Sequence, residues 1–202
     1  MPRKVDKEKK KAEILFAALK VFARKGFYKT KIEDIARELG IGKGTIYEYF
    51  RTKEELLGRG FELLFQEMDL TIDKLCRQPL PPVKKLEILI DFSIEEFVRF
   101  GEGLTNVLMD FWAEGIRSNH PDIVGSIDLK KIYRSYREKI ARIIREGIKK
   151  GEFRPCHPEH ESSILIASLD GLMLQWIMDP ELFTLRKMRN FLKKHFLNSL
   201  KK

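Results

Sequence analysis

Apolar residues recur along the chain at the spacing of an amphipathic α-helix, and no stretch alternates convincingly with the period of a β-strand. Two short apolar stripes near the N-terminus end at Gly26 and Gly40, which predicts helices that stop at a glycine. Residues 43–50 form a third short stripe, in which Ile46 and Phe50 lie one turn apart. The pattern therefore predicts an all-α chain that begins with three short helices around a shared core.

A longer helix follows these three. Thr52 and Glu55 have the spacing of a capping box, as Thr30 and Glu33 have at the start of the second helix. Apolar residues then repeat at helical spacing as far as segment 78–82, where the prolines must end the helix. We expect this helix to be long enough to belong to two domains.

The rest of the chain continues in helical stripes that are separated by breaks. We predict breaks at Gly101 and Gly103, at 120–121 and at 151–158, because glycine and proline interrupt the pattern there. Residues 164–178 are apolar on nearly every face, which predicts a helix that is buried on all sides. A final amphipathic stripe brings the total to about nine helices.

These helices divide into two domains of unequal size. We predict an N-terminal three-helix domain over residues 1–52, in the arrangement of a helix-turn-helix, and a larger helical domain over residues 53–202. The last two helices, 159–178 and 181–200, cannot bury their apolar surfaces within one subunit. We therefore expect a homodimer that forms through them.

Composition and charge indicate a folded protein with a polyanionic partner. Of the 202 residues, 43% are hydrophobic and 34% are charged, and no apolar run is long enough to cross a membrane. The N-terminus lacks the apolar segment of a signal peptide, so we expect a cytoplasmic protein. The net charge is +9, and residues 1–50 hold 13 Lys and Arg against 7 Asp and Glu. Such an asymmetry favours nucleic acid as the partner.

The third helix has the surface of a recognition helix. If Ile46 and Phe50 face the core, the remaining side chains point outward or flank the exposed face: Lys43, Gly44, Thr45, Tyr47, Glu48 and Tyr49. Small residues permit close approach to a DNA groove, hydroxyl groups can meet bases or phosphates, and a cation lies near the N-terminus of the helix. We therefore predict that this helix reads DNA.

Residues 30–56, TKIEDIARELGIGKGTIYEYFRTKEEL, resemble the DNA-binding signature of TetR-type transcriptional regulators. The preceding AALKVFARKGF extends the resemblance, and GEFRP and DGLMLQW add to it later in the chain. The resemblance implies a helix-turn-helix head and a helical body that dimerises and binds a small-molecule effector. It implies a double-stranded DNA operator as the second partner.

The same resemblance implies individual DNA contacts. By position, Lys43, Tyr47, Tyr49 and Lys53 correspond to residues that contact phosphate, Gly44 and Thr45 approach the bases, and Thr30 caps the second helix at the phosphate backbone. The basic residues Arg3 and Lys4 would add phosphate or minor-groove contacts. Two alternatives stay open: Glu48 either accepts from a cytosine amino group or avoids the DNA, and the two tyrosines either contact DNA or pack in the core.

For the effector, the resemblance implies a site between the long helix that follows Thr52, which we call the bridging helix, and the helices after it. The candidate ligand-binding residues are Phe65, Met68, Met109, Trp112, Asp170, Met173 and Trp176. Each has core packing as its alternative, and their methionine and aromatic character favours an apolar ligand. Asp170 lies in an apolar helix where an unpaired carboxylate is costly, so we expect it to have a partner: a cationic ligand, a salt bridge or a helix cap.

No residue pattern points to catalysis, a cofactor or a metal. Cys156, His157, His160 and Glu161 are close in sequence, but a second cluster at ligand spacing is missing. Nor does the sequence contain a phosphate loop, a nucleophile elbow or paired catalytic carboxylates. We therefore predict a sequence-specific DNA-binding regulator, a repressor that a small apolar ligand releases. An all-α enzyme and a non-specific DNA-packaging protein are the alternatives.

Overall fold

The computed structural model describes residues 6–117 and 129–202, apart from the side chains of residues 100–102, 104 and 110–117. Every regular element in these ranges is a helix, so the predicted all-α class is confirmed. In chain order the helices are α1 (Lys7–Lys25), α2 (Ile32–Leu39), α3 (Lys43–Tyr47), α4 (Lys53–Arg77), α5 (Pro82–Arg117), α6 (Leu129–Lys149), α7 (Pro158–Met178) and α8 (Leu185–Leu200).

The chain forms two compact units. The head unit contains the described residues of Met1–Gln66 and Phe100–Leu129, and the body unit contains Glu67–Arg99 and Lys130–Lys202. Helices α4 and α5 each contribute to both units. The domain boundary at residue 52 stays a prediction.

The three short helices of the head unit form as the sequence predicts. Gly26 and Gly40 follow α1 and α2 with φ of 80° and 64°, a backbone conformation that favours glycine and ends each helix. The N–H of Gly26 donates to the carbonyl of Phe22 at 2.7 Å. The fully buried side chains that hold these helices together include Ile14, Phe22, Ile35 and Ile46.

Of the two predicted capping boxes, only the side-chain cap at Thr52 forms, and the carboxylate of Glu55 accepts from the N–H of Arg51 at 2.8 Å. The N–H of Glu55 donates to Oγ1 of Thr52 at 3.0 Å, which confirms the cap of α4. The cap predicted for Thr30 is wrong, because its buried hydroxyl donates to the carbonyl of Gly26 at 2.7 Å instead. Helix α2 begins one residue later, where the N–H of Lys31 donates to the carboxylate of Asp34 at 3.0 Å.

The break predicted at Gly101 and Gly103 is also wrong. Helix α5 runs without interruption from Pro82 to Arg117. A Cβ atom at position 103 would lie 1.8 Å from the carbonyl oxygen of Ala23. This glycine therefore allows α5 to pack against the backbone of α1, and it is tolerated within a helix because the close packing offsets its low helix propensity.

The body unit has its own apolar core. Its fully buried side chains include Leu86, Ile90, Ile144, Leu165 and Leu200, which come from α5, α6, α7 and α8. The predicted breaks at 78–82 and 151–158 are confirmed, since α4 ends at Arg77 and α7 begins at Pro158. The break predicted at 120–121 lies outside the described residues.

Helix α7 is not buried on all sides, contrary to the prediction. Ile164, Leu174 and Met178 are 57%, 44% and 70% exposed. These residues share a face of α7, while Leu165 and Leu169 on the opposite side are buried in the body core. Helix α7 is thus apolar on two faces, and the described residues of this chain cover one of them.

Within the described ranges, every helix is either too short or too polar to span a lipid bilayer.

Candidate functional sites

The recognition surface is presented by the short helix α3. Its buried Ile46 and the buried Phe50 that follows hold the segment against the head core. The helix ends at Tyr47, earlier than predicted, although the N–H of Phe50 still donates to the carbonyl of Ile46 at 2.9 Å. Gly44, Tyr47 and Glu48 are exposed, and Thr45 and Tyr49 are half-buried. Lys43, Gly44, Tyr47 and Glu48 are thus accessible on the outside of this segment, whereas Thr45 and Tyr49 are only partly accessible.

Lys43 is held on this surface by an ion pair. Its Nζ atom lies 2.6 Å from Oε1 of Glu33 and 5.7 Å from the ring centroid of Tyr47. The hydrogen bond between Lys43 and Glu33 raises the pKa of the lysine and lowers the pKa of the glutamate. Both side chains are half-exposed, so a DNA phosphate can reach the ammonium in competition with Glu33.

Lys53 has a different environment from the one that the resemblance implies. Its ammonium donates hydrogen bonds to the backbone carbonyls of Phe27, Tyr28 and Thr30 at 2.9, 3.4 and 3.1 Å. It also lies 4.4 Å from the ring centroid of Phe27. These bonds use all three donors of the ammonium to join the first residue of α4 to the turn between α1 and α2.

The other residues predicted to contact DNA lie in different environments. Thr30 is buried, and its hydroxyl donates to the carbonyl of Gly26. Tyr49 lines an open groove of about 450 Å³ in the head unit, together with residues of α1 and α4 such as Leu15 and Leu63. Arg3 and Lys4 lie outside the described residues.

The predicted ligand-binding residues are divided between the two units. Phe65 and Met109 belong to the head unit, where Phe65 stacks on Phe61 with ring centroids 6.2 Å apart. Trp112 lies in the head-unit part of α5, and its side chain lies outside the described residues. Met68, Asp170, Met173 and Trp176 belong to the body unit.

In the body unit, the predicted residues of α7 are partly buried. Met173 and Trp176 pack against the body core, and the ring of Trp176 meets that of Phe97 edge-on at 6.0 Å. These contacts agree with the core alternative that the sequence left open.

Asp170 does have a partner, which sequence reasoning missed. The hydroxyl of Tyr133 on α6 donates to Oδ2 of Asp170 at 2.9 Å. Burial raises the pKa of Asp170 above its ordinary value, although this hydrogen bond acts in the opposite direction. Burial and the neighbouring carboxylate raise the pKa of Tyr133 as well. The partner is thus neither a salt bridge nor a helix cap.

Two further polar residues on α6 were missed. Lys139 is buried and its ammonium lies 2.7 Å from Oδ1 of Asp69 on α4. The hydroxyl oxygen of Tyr136 is buried without a hydrogen-bond partner among the described residues. Periodicity places the tyrosines at positions 133 and 136 on an apolar stripe, and their hydroxyl groups on that stripe were the available signal.

The Cys156–Glu161 segment carries no metal-binding arrangement. In the part of the chain that the structure describes, no group of three or more His, Cys, Asp and Glu side chains is placed to hold a metal ion. Glu161 forms an ion pair with Arg154 at 2.9 Å, and the rings of His157 and His160 lie 5.1 Å apart.

Comparison with known proteins matches both parts of the chain. Residues 14–59 match the family described as bacterial regulatory proteins, tetR family, and residues 93–200 match the C-terminal family of BetI-type transcriptional repressors. The HTH-type transcriptional regulator YfiR of Bacillus subtilis is 31% identical over 166 residues, which are 77% of this chain and 73% of that protein. YhgD of the same organism is 29% identical over 167 residues, 83% of this chain and 84% of that protein.

Solved structures share the fold. FadR of Bacillus halodurans has a TM-score of 0.72 at 21% identity, covering 94% of this chain and 98% of that one. A protein of Saccharomonospora viridis in complex with choline has a TM-score of 0.81 at 23% identity, covering 96% and 99%. With an exposed recognition helix on a buried anchor and both family matches, the chain belongs to the TetR family and is a helix-turn-helix transcriptional regulator.

Proposed function

We propose that this regulator is a homodimeric repressor that binds a two-fold operator through α3 and is released by a small molecule. The observation that carries the DNA-binding part is the surface of α3, where buried Ile46 orients exposed Gly44, Tyr47 and Glu48. A recognition helix needs this combination of a rigid anchor and an accessible outer face.

We propose the DNA contacts that the resemblance implies, at side chains of the α3 segment that are exposed or half-buried. Lys43, Tyr47 and Tyr49 contact phosphate, and Gly44 and Thr45 approach base edges, with Glu48 as a reader of cytosine or a residue that stays clear of the groove. We also propose that Arg3 and Lys4, in the basic segment at the N-terminus, contact the DNA. Lys53 and Thr30 are supported less well, because both already have hydrogen bonds within the head unit.

The dimer interface that we propose is the uncovered face of α7, together with α8. Ile164, Leu174 and Met178 form an exposed apolar face on α7, and Phe191 is exposed on α8. Small residues, Ser168 and Gly171, lie between the apolar side chains and would permit close helix approach. A contiguous apolar surface of this kind is characteristic of an interface between subunits.

The effector-binding residues that we propose in the body unit are Met68, Asp170, Met173 and Trp176. Phe65, Met109 and Trp112 belong to the head unit and stay predictions of the resemblance. Structures with the same fold hold small molecules of several classes: stearoyl-CoA in FadR of Bacillus subtilis, triclosan in SmeT and choline in the Saccharomonospora viridis protein. The apolar and aromatic side chains favour a ligand with an apolar body. We propose no catalytic role, and we expect the protein to act in the cytoplasm, where an operator is accessible.

Selection of genomic fragments tests this proposal. Fragments from the source genome that bind the purified protein are sequenced, and the affinity for the enriched site is compared with that for a scrambled duplex at the same salt concentration. A specific regulator should prefer its operator by about a thousandfold or more. Equal affinity for the two duplexes would instead support a non-specific DNA-packaging protein.

A further inference from the structure

The body unit holds four polar side chains of interest on three helices: Tyr133 and Tyr136 on α6, Asp170 on α7 and Asp69 on α4. Tyr133 on α6 donates to Asp170 on α7, and the nearby Tyr136 contributes to raising the pKa of Tyr133, after burial and the charge of Asp170. After burial, the charge of Asp69 on α4 raises the pKa of Tyr136 in turn. Tyr133 and Tyr136 are three positions apart on α6, so their side chains share one face of that helix, and Tyr133 on this face contacts Asp170.

The two carboxylates of this cluster differ in how they are neutralised. Asp69 has a cation, since Nζ of Lys139 lies 2.7 Å from its Oδ1, and it also accepts from the hydroxyl of Ser135 at 2.8 Å. Asp170 forms no ion pair with any described residue, and its one hydrogen bond comes from the neutral Tyr133. A half-buried carboxylate without a counter-ion is costly, and a cationic group beside it would offset that cost.

A second polar group in the cluster lacks a partner. The hydroxyl oxygen of Tyr136 is buried, and no described residue forms a hydrogen bond with it. Oδ1 of Asp170 also receives no hydrogen bond from a described residue, but it is not a buried atom and is accessible to a donor. Buried polar groups in native proteins are almost always paired, so orphaned ones point to a water molecule or a ligand.

The surroundings of Asp170 fit the body of an organic molecule. Ile166, Asp170, Met173 and Ile177 follow one another at helical spacing on one face of α7, and the three apolar members are only partly buried. Trp176 follows Met173 by three positions, and its aromatic ring packs on Phe97 at 6.0 Å. Apolar walls, an aromatic ring and one uncompensated carboxylate are the features by which proteins bind organic cations.

We propose that Asp170, Tyr133 and Tyr136 form the polar end of an effector site for an organic cation, an amine carried on an apolar body. The ammonium donates hydrogen bonds to Oδ1 of Asp170 and to the hydroxyl oxygen of Tyr136, and it supplies the counter-ion that Asp170 lacks. The apolar body lies along the Met173 face of α7. This inference rests on the proposed effector-binding role of the body unit.

Three probes of equal chain length separate charge from apolar burial: decylamine, decan-1-ol and decanoate. Binding to the full-length protein is measured by calorimetry at pH 7, with each probe below its micellar concentration. We expect decylamine to bind about tenfold to a hundredfold more tightly than decan-1-ol, and decanoate to bind most weakly. The inference is overturned if decanoate or decan-1-ol binds as tightly as decylamine, or if none of the three binds.

Substitutions test whether Asp170 and Tyr136 cause the preference for decylamine. Asp170→Asn keeps the shape and the Tyr133 hydrogen bond, and should abolish the preference for decylamine while leaving decan-1-ol within about twofold. Tyr136→Phe should weaken decylamine binding by several-fold. Asp179→Asn, at the exposed end of α7, is the matched control and should behave as wild type. A preference that survives Asp170→Asn overturns the proposed site.

Two additional measurements keep the result decisive. Circular dichroism checks the folding of each variant, and if Asp170→Asn does not fold, Tyr136→Phe and Tyr133→Phe carry the test. Operator affinity without any probe is measured in parallel. If the wild-type protein does not prefer its operator to a scrambled duplex, the proposed function is contradicted. If decanoate or decan-1-ol releases the operator and decylamine does not, only the proposed preference for a cationic effector is contradicted.

Discussion

The ammonium of Lys53 donates a hydrogen bond to the backbone carbonyl of Phe27 at 2.9 Å and lies 4.4 Å from the centroid of its ring. Lys53 is the first residue of α4, and Phe27 lies in the turn between α1 and α2. Since α4 contributes to both units, this contact fastens the start of the bridging helix to the turn that precedes the helix-turn-helix.

The Lys53 contact predicts a structural phenotype. Lys53→Met keeps the length of the side chain and removes all three hydrogen bonds to carbonyls, so the free energy of unfolding should fall by about 1–3 kcal/mol. The dependence of DNA affinity on salt should stay unchanged. Chemical denaturation and binding at several salt concentrations test this. A smaller salt dependence at unchanged stability would show that Lys53 contacts phosphate instead.

The Lys43–Glu33 ion pair predicts opposite effects of two substitutions on DNA binding. Lys43→Ala should weaken binding to every duplex and lower the magnitude of the salt slope by about 0.9 for each phosphate that the lysine neutralises. Glu33→Gln frees the ammonium of Lys43 and removes a negative charge beside it, so it should tighten binding to specific and scrambled duplexes alike. If Lys43→Ala leaves the salt dependence of DNA affinity unchanged, Lys43 does not neutralise a phosphate. If Glu33→Gln weakens DNA binding, Glu33 does not compete with phosphate for the ammonium.

Gly103 predicts a packing defect. In Gly103→Ala the new Cβ would lie 1.8 Å from the carbonyl oxygen of Ala23, and a backbone atom cannot move aside cheaply. We expect a loss of about 3 kcal/mol or more in the free energy of unfolding. Asn106→Ala, exposed on the same helix, is the control and should be neutral or slightly stabilising. Thermal melting compares the two, and equal melting temperatures would exclude the close packing of α5 on α1.

The uncovered face of α7 predicts the oligomeric state. Light scattering of wild type should give the mass of two chains. Ile164→Asp and Met178→Asp place charges in the proposed interface and should yield monomers that bind a two-fold operator weakly. Val98→Asp, at an exposed apolar residue of α5, should remain dimeric. A monomeric wild type, or dimers that survive both charged substitutions, would contradict this interface.

Asp170 predicts a specific dependence of stability on pH. Burial raises its pKa in the folded chain above the unfolded value, which is near 4, so ionisation favours the unfolded state. Wild type should therefore lose stability relative to Asp170→Asn as the pH rises from about 4 through the raised pKa, and the difference should be constant above it. Denaturation of both proteins across this range measures the difference. A difference that does not vary with pH would contradict the raised pKa.

Local patterns determined much of this protein. The glycine ends of α1 and α2, the Thr52 cap and the proline break at 78–82 were all predicted, because each depends on the backbone preferences of a few adjacent residues. The resemblance of residues 30–56 to the TetR signature was correct for the same reason, since that segment folds as one compact local motif.

Tertiary structure decided what depends on residues that are distant in sequence. From sequence alone, glycine at position 103 predicts a helix break. Only the close approach of the Ala23 backbone makes it a packing position within α5. The Asp170–Tyr133 hydrogen bond joins residues 37 positions apart, and the Lys53 bonds reach back 23 to 26 positions. Helical periodicity identifies which face of a helix is apolar, but it does not identify the neighbour that covers that face or satisfies a polar group on it. The sequence therefore determined the helices and the DNA-binding motif, whereas the partners of Asp170, Lys53 and Gly103 followed from three-dimensional packing alone.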